Sequence, residues 1–129
     1  MGATVVVIDH VQIGVPRAAE AEAKRFYGEV LGLEEIPKPE RLRGRGGAWY
    51  RVGAAQLHVS VEDLDPSATH ASRRHVCFRV ADLAAAERAA RAGGLEIIPD
   101  DQPVPGWLRF YLRDPGGNRV EVAQAVSAG

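Results

Sequence analysis

The feature that most constrains this chain is an internal repeat. Starting at Ile8, the string IDHVQIGV is followed by a helical stretch through FYGEVLGLE, a polar loop, and two short alternating runs, AWYRV and AQLHVSV. Starting at Arg73, RRHVCFRV is followed by a helical stretch through AERAARAGGLE, another loop, then WLRFYLR and NRVEVAQ. The register is close: His75 follows His10 by 65 positions, Leu95 follows Leu33 by 62, and Glu121 follows His58 by 63. Each half therefore reads strand, helix, three strands. A module of about 60 residues with one helix leaves a sheet face uncovered, so the halves must fold together. The expected architecture is α+β: one domain over residues 1–129, made of two tandem βαβββ modules at about 5–62 and 73–125, forming an open, cup-like mixed sheet.

Local signals support each element. From Arg17 to Leu31 the apolar residues Ala19, Ala23, Phe26, Tyr27 and Val30 recur at spacings of three and four, and Gly32 follows as a helix-ending residue. In the second half Asp82 stands at an N-cap, Leu83, Ala86 and Ala90 mark one helix face, and Gly93-Gly94 ends it. Pro37 and Pro39 break one loop, Pro99, Pro103 and Pro105 the other, and Asp114-Pro115-Gly116-Gly117-Asn118 is a turn before the last strand.

Strand parity then sorts the side chains. Neighbouring residues on a strand point to opposite faces, so His10, His58, His75 and Glu121 share one face while Val11, Leu57, Val59, Val76, Phe78, Val120 and Val122 form the core. Three of the four histidines and the only acid of the last strand thus fall on repeat-equivalent positions of the cup. Imidazole nitrogens and a hard carboxylate oxygen together suit a single borderline divalent cation. His70 is expected in an exposed loop after Asp65-Pro66, and Cys77, although on the cup side by parity, as a small buried hydrophobe.

Composition narrows the setting. A formal net charge of −1 offers nothing to attract nucleic acid or an anionic membrane non-specifically, which leaves a small molecule as partner. No apolar run reaches the roughly 20 residues of a membrane span, Met1–Ile8 lacks the basic stretch of a secretory signal, and one cysteine cannot form an intrachain disulfide, so a cytoplasmic location is expected.

The strings IDHVQIGV, FYGEVLGLEE, RRHVCFRV and FYLRDPGGNRVEVA resemble the paired βαβββ modules of the vicinal oxygen chelate superfamily, which includes glyoxalase I, fosfomycin-resistance proteins, bleomycin-binding proteins, methylmalonyl-CoA epimerase and type I extradiol dioxygenases. The resemblance runs from about Val7 to Gln124. It implies a divalent metal, Fe(II), Mn(II), Ni(II) or Zn(II), held at the matching positions His10, His58, His75 and Glu121. In glyoxalase I the position of His58 carries a carboxylate, so the histidine departs from that pattern. In extradiol dioxygenases two histidines and a glutamate hold Fe(II), which maps onto His10, His75 and Glu121. A catalytic histidine in that pattern maps onto His58, and a tyrosine ten residues before the glutamate onto Tyr111. A further histidine of the pattern is missing, since residues 103–110 contain none.

The resulting expectation is a metal-dependent enzyme acting on vicinal oxygens, dioxygenase-like ahead of a glyoxalase I-type lyase or epimerase. A non-catalytic ligand-binding protein of the bleomycin-resistance type is the alternative from another class. His58 and Tyr111 are the catalytic candidates, and Arg109, Gln12, Arg51 and Trp49 the substrate-binding ones, for a substrate that is small and anionic. The segment Lys38–Arg51, with Arg41, Arg43, Arg45 and three glycines, is a candidate lid over the cup, and Trp107 a second wall of its mouth. Modules of this kind close a cup within one chain or across a homodimer, and a homodimer is expected.

Overall fold

A computed structural model describes residues 2–126. The first module contains β1 (His10–Val15), α1 (Glu20–Lys24), β2 (Glu34–Ile36), β3 (Ala48–Val52) and β4 (Ala55–Val61). A helix α2 (Pro66–Ala71) connects it to the second: β5 (His75–Arg79), α3 (Leu83–Ala92), β6 (Ile98–Pro99), β7 (Trp107–Arg113) and β8 (Arg119–Ala125). The sheets have the same topology, β1-β4-β3-β2 and β5-β8-β7-β6, with the first and last strand of each module parallel and the remaining pairs antiparallel. The repeat read from the sequence is therefore a repeat of fold.

The eight strands do not join into one sheet within the chain. Both β1 and β5 are edge strands, each paired on one side only. Val11, assigned to the core by parity, lies on the open edge β1 and is 37% exposed, while Leu57, Val59, Val120 and Val122 on inner strands are buried and Phe78 on β5 is covered by Tyr27. The chain before β1 carries four exposed apolar residues, Val5, Val6, Val7 and Ile8. A groove of about 390 Å³ lies between the two open edges, with Val11, Ile13, Val76 and Phe78 among its walls.

The helix expected over Arg17–Leu31 forms in three pieces: a 3-10 turn at Arg17–Ala19, α1, and a π-helical turn at Arg25–Val30. The wider π turn lets consecutive aromatics, Phe26 and Tyr27, both enter the core, each 1% exposed. Gly32 ends the segment at φ +71, a conformation that costs glycine least. Tyr27 reaches the other module, its ring 6.5 Å from that of Phe78. The helix-side faces of both sheets thus share one core.

A polar link fastens the modules beside that core. The Tyr27 hydroxyl donates to Asp114 Oδ2 at 2.6 Å, Asp114 Oδ1 accepts from the backbone of Gly116 and Asn118, and Asn118 Nδ2 donates to the carbonyl of Gly14 at 2.9 Å. Asp114 is 4% exposed, and burial raises its carboxyl above the ordinary value although these donors pull the other way. The turn passes so close to α2 that a Cβ on Gly117 would lie 2.8 Å from the Pro66 carbonyl. Helix α2 itself was not expected. Its signals are Asp65, which caps Ser67 N at 2.9 Å, and Pro66 in the first turn, and His70 lies exposed at its end.

The arginine-rich candidate lid is held at both ends. Glu40–Arg45 forms a 3-10 turn, Lys38 Nζ donates to the Gly46 carbonyl, and Gly47 N donates to Glu20 Oε2 at 2.7 Å. No helix is long and apolar enough to cross a membrane among the described residues.

Candidate metal centre

The four expected ligands fall into two pairs, one per module. In the first, the register β1–β4 sets His10 beside Gln56 and Gln12 beside His58, while the tight β3–β4 hairpin sets Trp49 directly across from His58. Three rings stack as a result. Trp49 lies on His58 with centroids 3.8 Å apart and planes parallel, and His58 lies on His10 at 4.2 Å and 16°. His58 is 5% exposed, and its Nε2 is 2.8 Å from Gln56 Oε1. That partner fixes the proton on Nε2 and leaves Nδ1 as the acceptor of the ring. Burial, then the neighbouring His10, lower the His58 pKa below its usual value, so the neutral imidazole is favoured.

His10 is prepared differently. Its Nδ1 stands 2.8 Å from Asp9 Oδ2, an acceptor only, which places the proton on Nδ1 and the free lone pair on Nε2. A carboxylate behind the distal nitrogen is the arrangement that orients metal-ligating histidines.

The second pair is already in contact. His75 Nε2 is 3.0 Å from Glu121 Oε1, and His75 Nδ1 is 2.9 Å from the carbonyl of Arg73. Both ring nitrogens face acceptors. With the proton on Nδ1, a nitrogen lone pair and a carboxylate oxygen converge, and a cation between them satisfies both. The donor set of His10, His75 and Glu121, two imidazoles and one carboxylate, fits a borderline divalent ion.

Around Glu121 the strand register builds a row. Cys77 on β5 and Tyr111 on β7 are its direct cross-strand partners. The Cys77 thiol donates to Glu121 Oε2 at 3.2 Å, and the side chain is exposed on the cup face rather than buried as expected. Partial desolvation of the sulfur by its neighbours, followed by the bond to and the charge of Glu121, push the thiol up to about 12. Tyr111 is raised by burial and by Glu121, so its hydroxyl stays protonated and can donate. Arg109 Nη1 is 3.6 Å from Glu121 Oε2, but the guanidinium is clamped by Asp100, at 2.9 and 3.0 Å, and by the Gln102 carbonyl at 2.7 Å. That clamp holds Asp100 below its ordinary value.

Arg119 is the cation that sequence reasoning left without a role. Its guanidinium lies 4.2 Å from the Tyr111 ring centroid, and among the described residues it has no carboxylate partner. The signal was present: with Tyr111 opposite Glu121, Arg119 is the diagonal neighbour of Tyr111. Of the other candidates, Gln12 lines the groove between the edges, Arg51 pairs with Glu34 at 3.4 Å, and Trp107 lies under Arg79 at 5.5 Å. Among the described residues, no three His, Cys, Asp or Glu side chains converge on one point in the chain.

The model of the Glyoxalase/Bleomycin resistance protein/Dioxygenase superfamily matches residues 7–122. The chain belongs to that superfamily. A glyoxalase family protein from Bacillus anthracis is 40% identical, with a TM-score of 0.85 over 98% of this chain and 100% of that one. Lactoylglutathione lyase from Agrobacterium tumefaciens is 21% identical, with a TM-score of 0.68 over 94% and 95%. The fosfomycin resistance protein FosX from Listeria monocytogenes is 14% identical, with a TM-score of 0.76 over 95% and 94%. No curated protein matches the chain. At such identities the last two speak for the fold alone.

Proposed function

We propose that this superfamily member is a metal-dependent enzyme acting on a small anionic substrate with two neighbouring oxygens, dioxygenase-like in its residues, with its site completed between two copies of the chain. The observation that carries the reading is the separation of roles at His58. Its Nε2 is held by Gln56 and its ring is stacked between Trp49 and His10, which supports a reading in which the free Nδ1 accepts a proton while His10, His75 and Glu121 ligate. Two histidines and one carboxylate leave adjacent coordination positions open, the arrangement suited to Fe(II) oxygenases. A lyase of the glyoxalase I type would need His58 itself, or a carboxylate in its place, among the ligands.

The bound ion would supply Lewis acidity and open positions for the two oxygens. His58, neutral and with Nδ1 free, takes the proton of a substrate hydroxyl. Tyr111 donates its hydroxyl to the oxygen that gains negative charge, and Arg119 lies against the Tyr111 ring to balance the same charge. Arg109, fixed by Asp100, acts on Glu121 more than on substrate.

Three observations support completion by a second copy. His10 and the pair His75–Glu121 do not converge in one chain, β1 and β5 are open edges, and the apolar residues Val5–Ile8, before β1, and Val11, on it, are exposed. A two-fold axis that sets β1 of one copy against β5 of the other covers both edges twice and brings His10 to the partner's His75 and Glu121.

The test is complementation. His10→Ala and Glu121→Gln proteins are each expected to be inactive with Fe(II) and a catechol under dioxygen. Unfolding and refolding them together restores about one quarter of wild-type activity, because half the dimers are mixed and each mixed dimer holds one intact site. No restoration in a mixture that forms dimers would sink the shared site. A wild-type protein that turns over a glutathione hemithioacetal and no catechol would move the chemistry to lyase. Failure with both substrates, and no stabilisation by any of the four metals, would favour the ligand-binding alternative.

A further inference from the structure

Glu121 presents its two oxygens to different surroundings. Oε1 faces His75 Nε2 at 3.0 Å, whereas Oε2 accepts from the Cys77 thiol at 3.2 Å and faces Arg109 Nη1 at 3.6 Å. Neither of those neighbours is loosely placed. Cys77 is the direct register partner of Glu121 on β5, and Arg109 is clamped by two bonds to Asp100 and one to the Gln102 carbonyl. A carboxylate with both oxygens free can chelate an ion and use two of its coordination positions. One with an oxygen held by protein donors ligates through the other oxygen alone.

We propose that Cys77, acting with Arg109 on the same carboxylate oxygen, is a positioning residue that holds Glu121 to single-oxygen ligation and so keeps one more coordination position open for substrate. This rests on the metal reading of His10, His75 and Glu121. The thiol is not itself a ligand here; it acts on the carboxylate as the outer hydrogen bonds of metal sites act on their ligands, by fixing which lone pair points at the ion. A serine in its place retains a donor on the same row, whereas an alanine removes it.

Cobalt(II), whose visible spectrum reports coordination number, tests this on the intact protein. Wild type is expected to take up Co(II) without the near-ultraviolet thiolate-to-cobalt charge-transfer band. Cys77→Ala is expected to bind Co(II) about 10- to 100-fold less tightly, with the visible bands weakened and shifted toward higher coordination number, and Cys77→Ser to return both toward wild type. An unchanged spectrum and affinity in Cys77→Ala would overturn the inference and leave the metal site standing. A thiolate band in wild type would also overturn it, by making Cys77 a ligand. No Co(II) uptake by wild type would remove the metal reading, and this inference with it.

Discussion

The two modules fold alike and are chemically unlike. The cup face of the first carries a stack of three rings, Trp49, His58 and His10, with one nitrogen of His58 held by Gln56 and one of His10 by Asp9. The second carries a charged row in which Glu121 is surrounded by His75, Cys77, Tyr111 and Arg109. Duplication preserves the backbone register, which the core requires, and leaves the open face free to diverge. One module has come to offer aromatic surface and a neutral base, the other the anion and the cations. The proposed site draws on both, since His10 lies on one module and His75 and Glu121 on the other.

The sharpest way to break this contrast is to remove one member from each half. Glu121→Gln should lower metal affinity by more than the roughly 10- to 100-fold that outer-shell changes produce. His58→Gln should leave metal affinity within that range or better and lower the turnover rate by about 10²- to 10⁴-fold, the usual loss on removing a general base. Metal titration by calorimetry and steady-state rates with a catechol check both. Equal loss of metal in the two variants would place His58 among the ligands and make the halves more alike than their geometry indicates.

Much of this division was legible in the sequence. Alternation assigned Leu57, Val59, Phe78, Val120 and Val122 to the core because a sheet with one packed and one open face imposes a period of two. It failed at Val11, where the rule assumes a covered strand and the chain by itself leaves β1 an edge. Cys77 was misjudged because residue type was weighted over parity, and its partner Glu121 supplies the reason for a polar position. The stack was within reach. Once Gly53–Ala54 is taken as the hairpin turn, Val52 pairs with Ala55 and Trp49 must face His58. The π turn was not, since it goes with the burial of both Phe26 and Tyr27 in a core that the two modules share, which no local pattern reports.

The modules differ again in how they hold each other. The first joins its last two strands by a tight turn at Gly53–Ala54, whereas Asp114–Asn118 in the second is longer and reaches Tyr27 and Gly14 of its neighbour. Tyr27→Phe deletes one donor to a buried carboxylate and should destabilise the fold by about 2 kcal/mol, as hydrogen bonds to charged groups do. For a chain of this size that is roughly a 5–10 °C fall in Tm, measurable by calorimetry. A change below about 0.5 kcal/mol would mean that the shared core alone holds the modules, because surface substitutions fall in that range.

The smallest expected effect concerns the charge in that link. Burial raises the Asp114 carboxyl above 3.8 against the pull of Tyr27, Asn118 and Gly116, so between 3.8 and the folded value the native state binds more protons than the unfolded chain. Stability from this group therefore rises as pH falls through the folded value, and is constant once both states are protonated below 3.8. Asp114→Asn cannot titrate there. It loses hydrogen bonds at every pH, so its deficit against wild type is present at pH 7 and should widen as pH falls through that window. Urea denaturation of the pair across mildly acidic pH measures the widening. A deficit that narrows instead would mean that the four donors outweigh burial, that the folded carboxyl lies below 3.8, and that the second module holds the first through an anion it stabilises rather than one it tolerates.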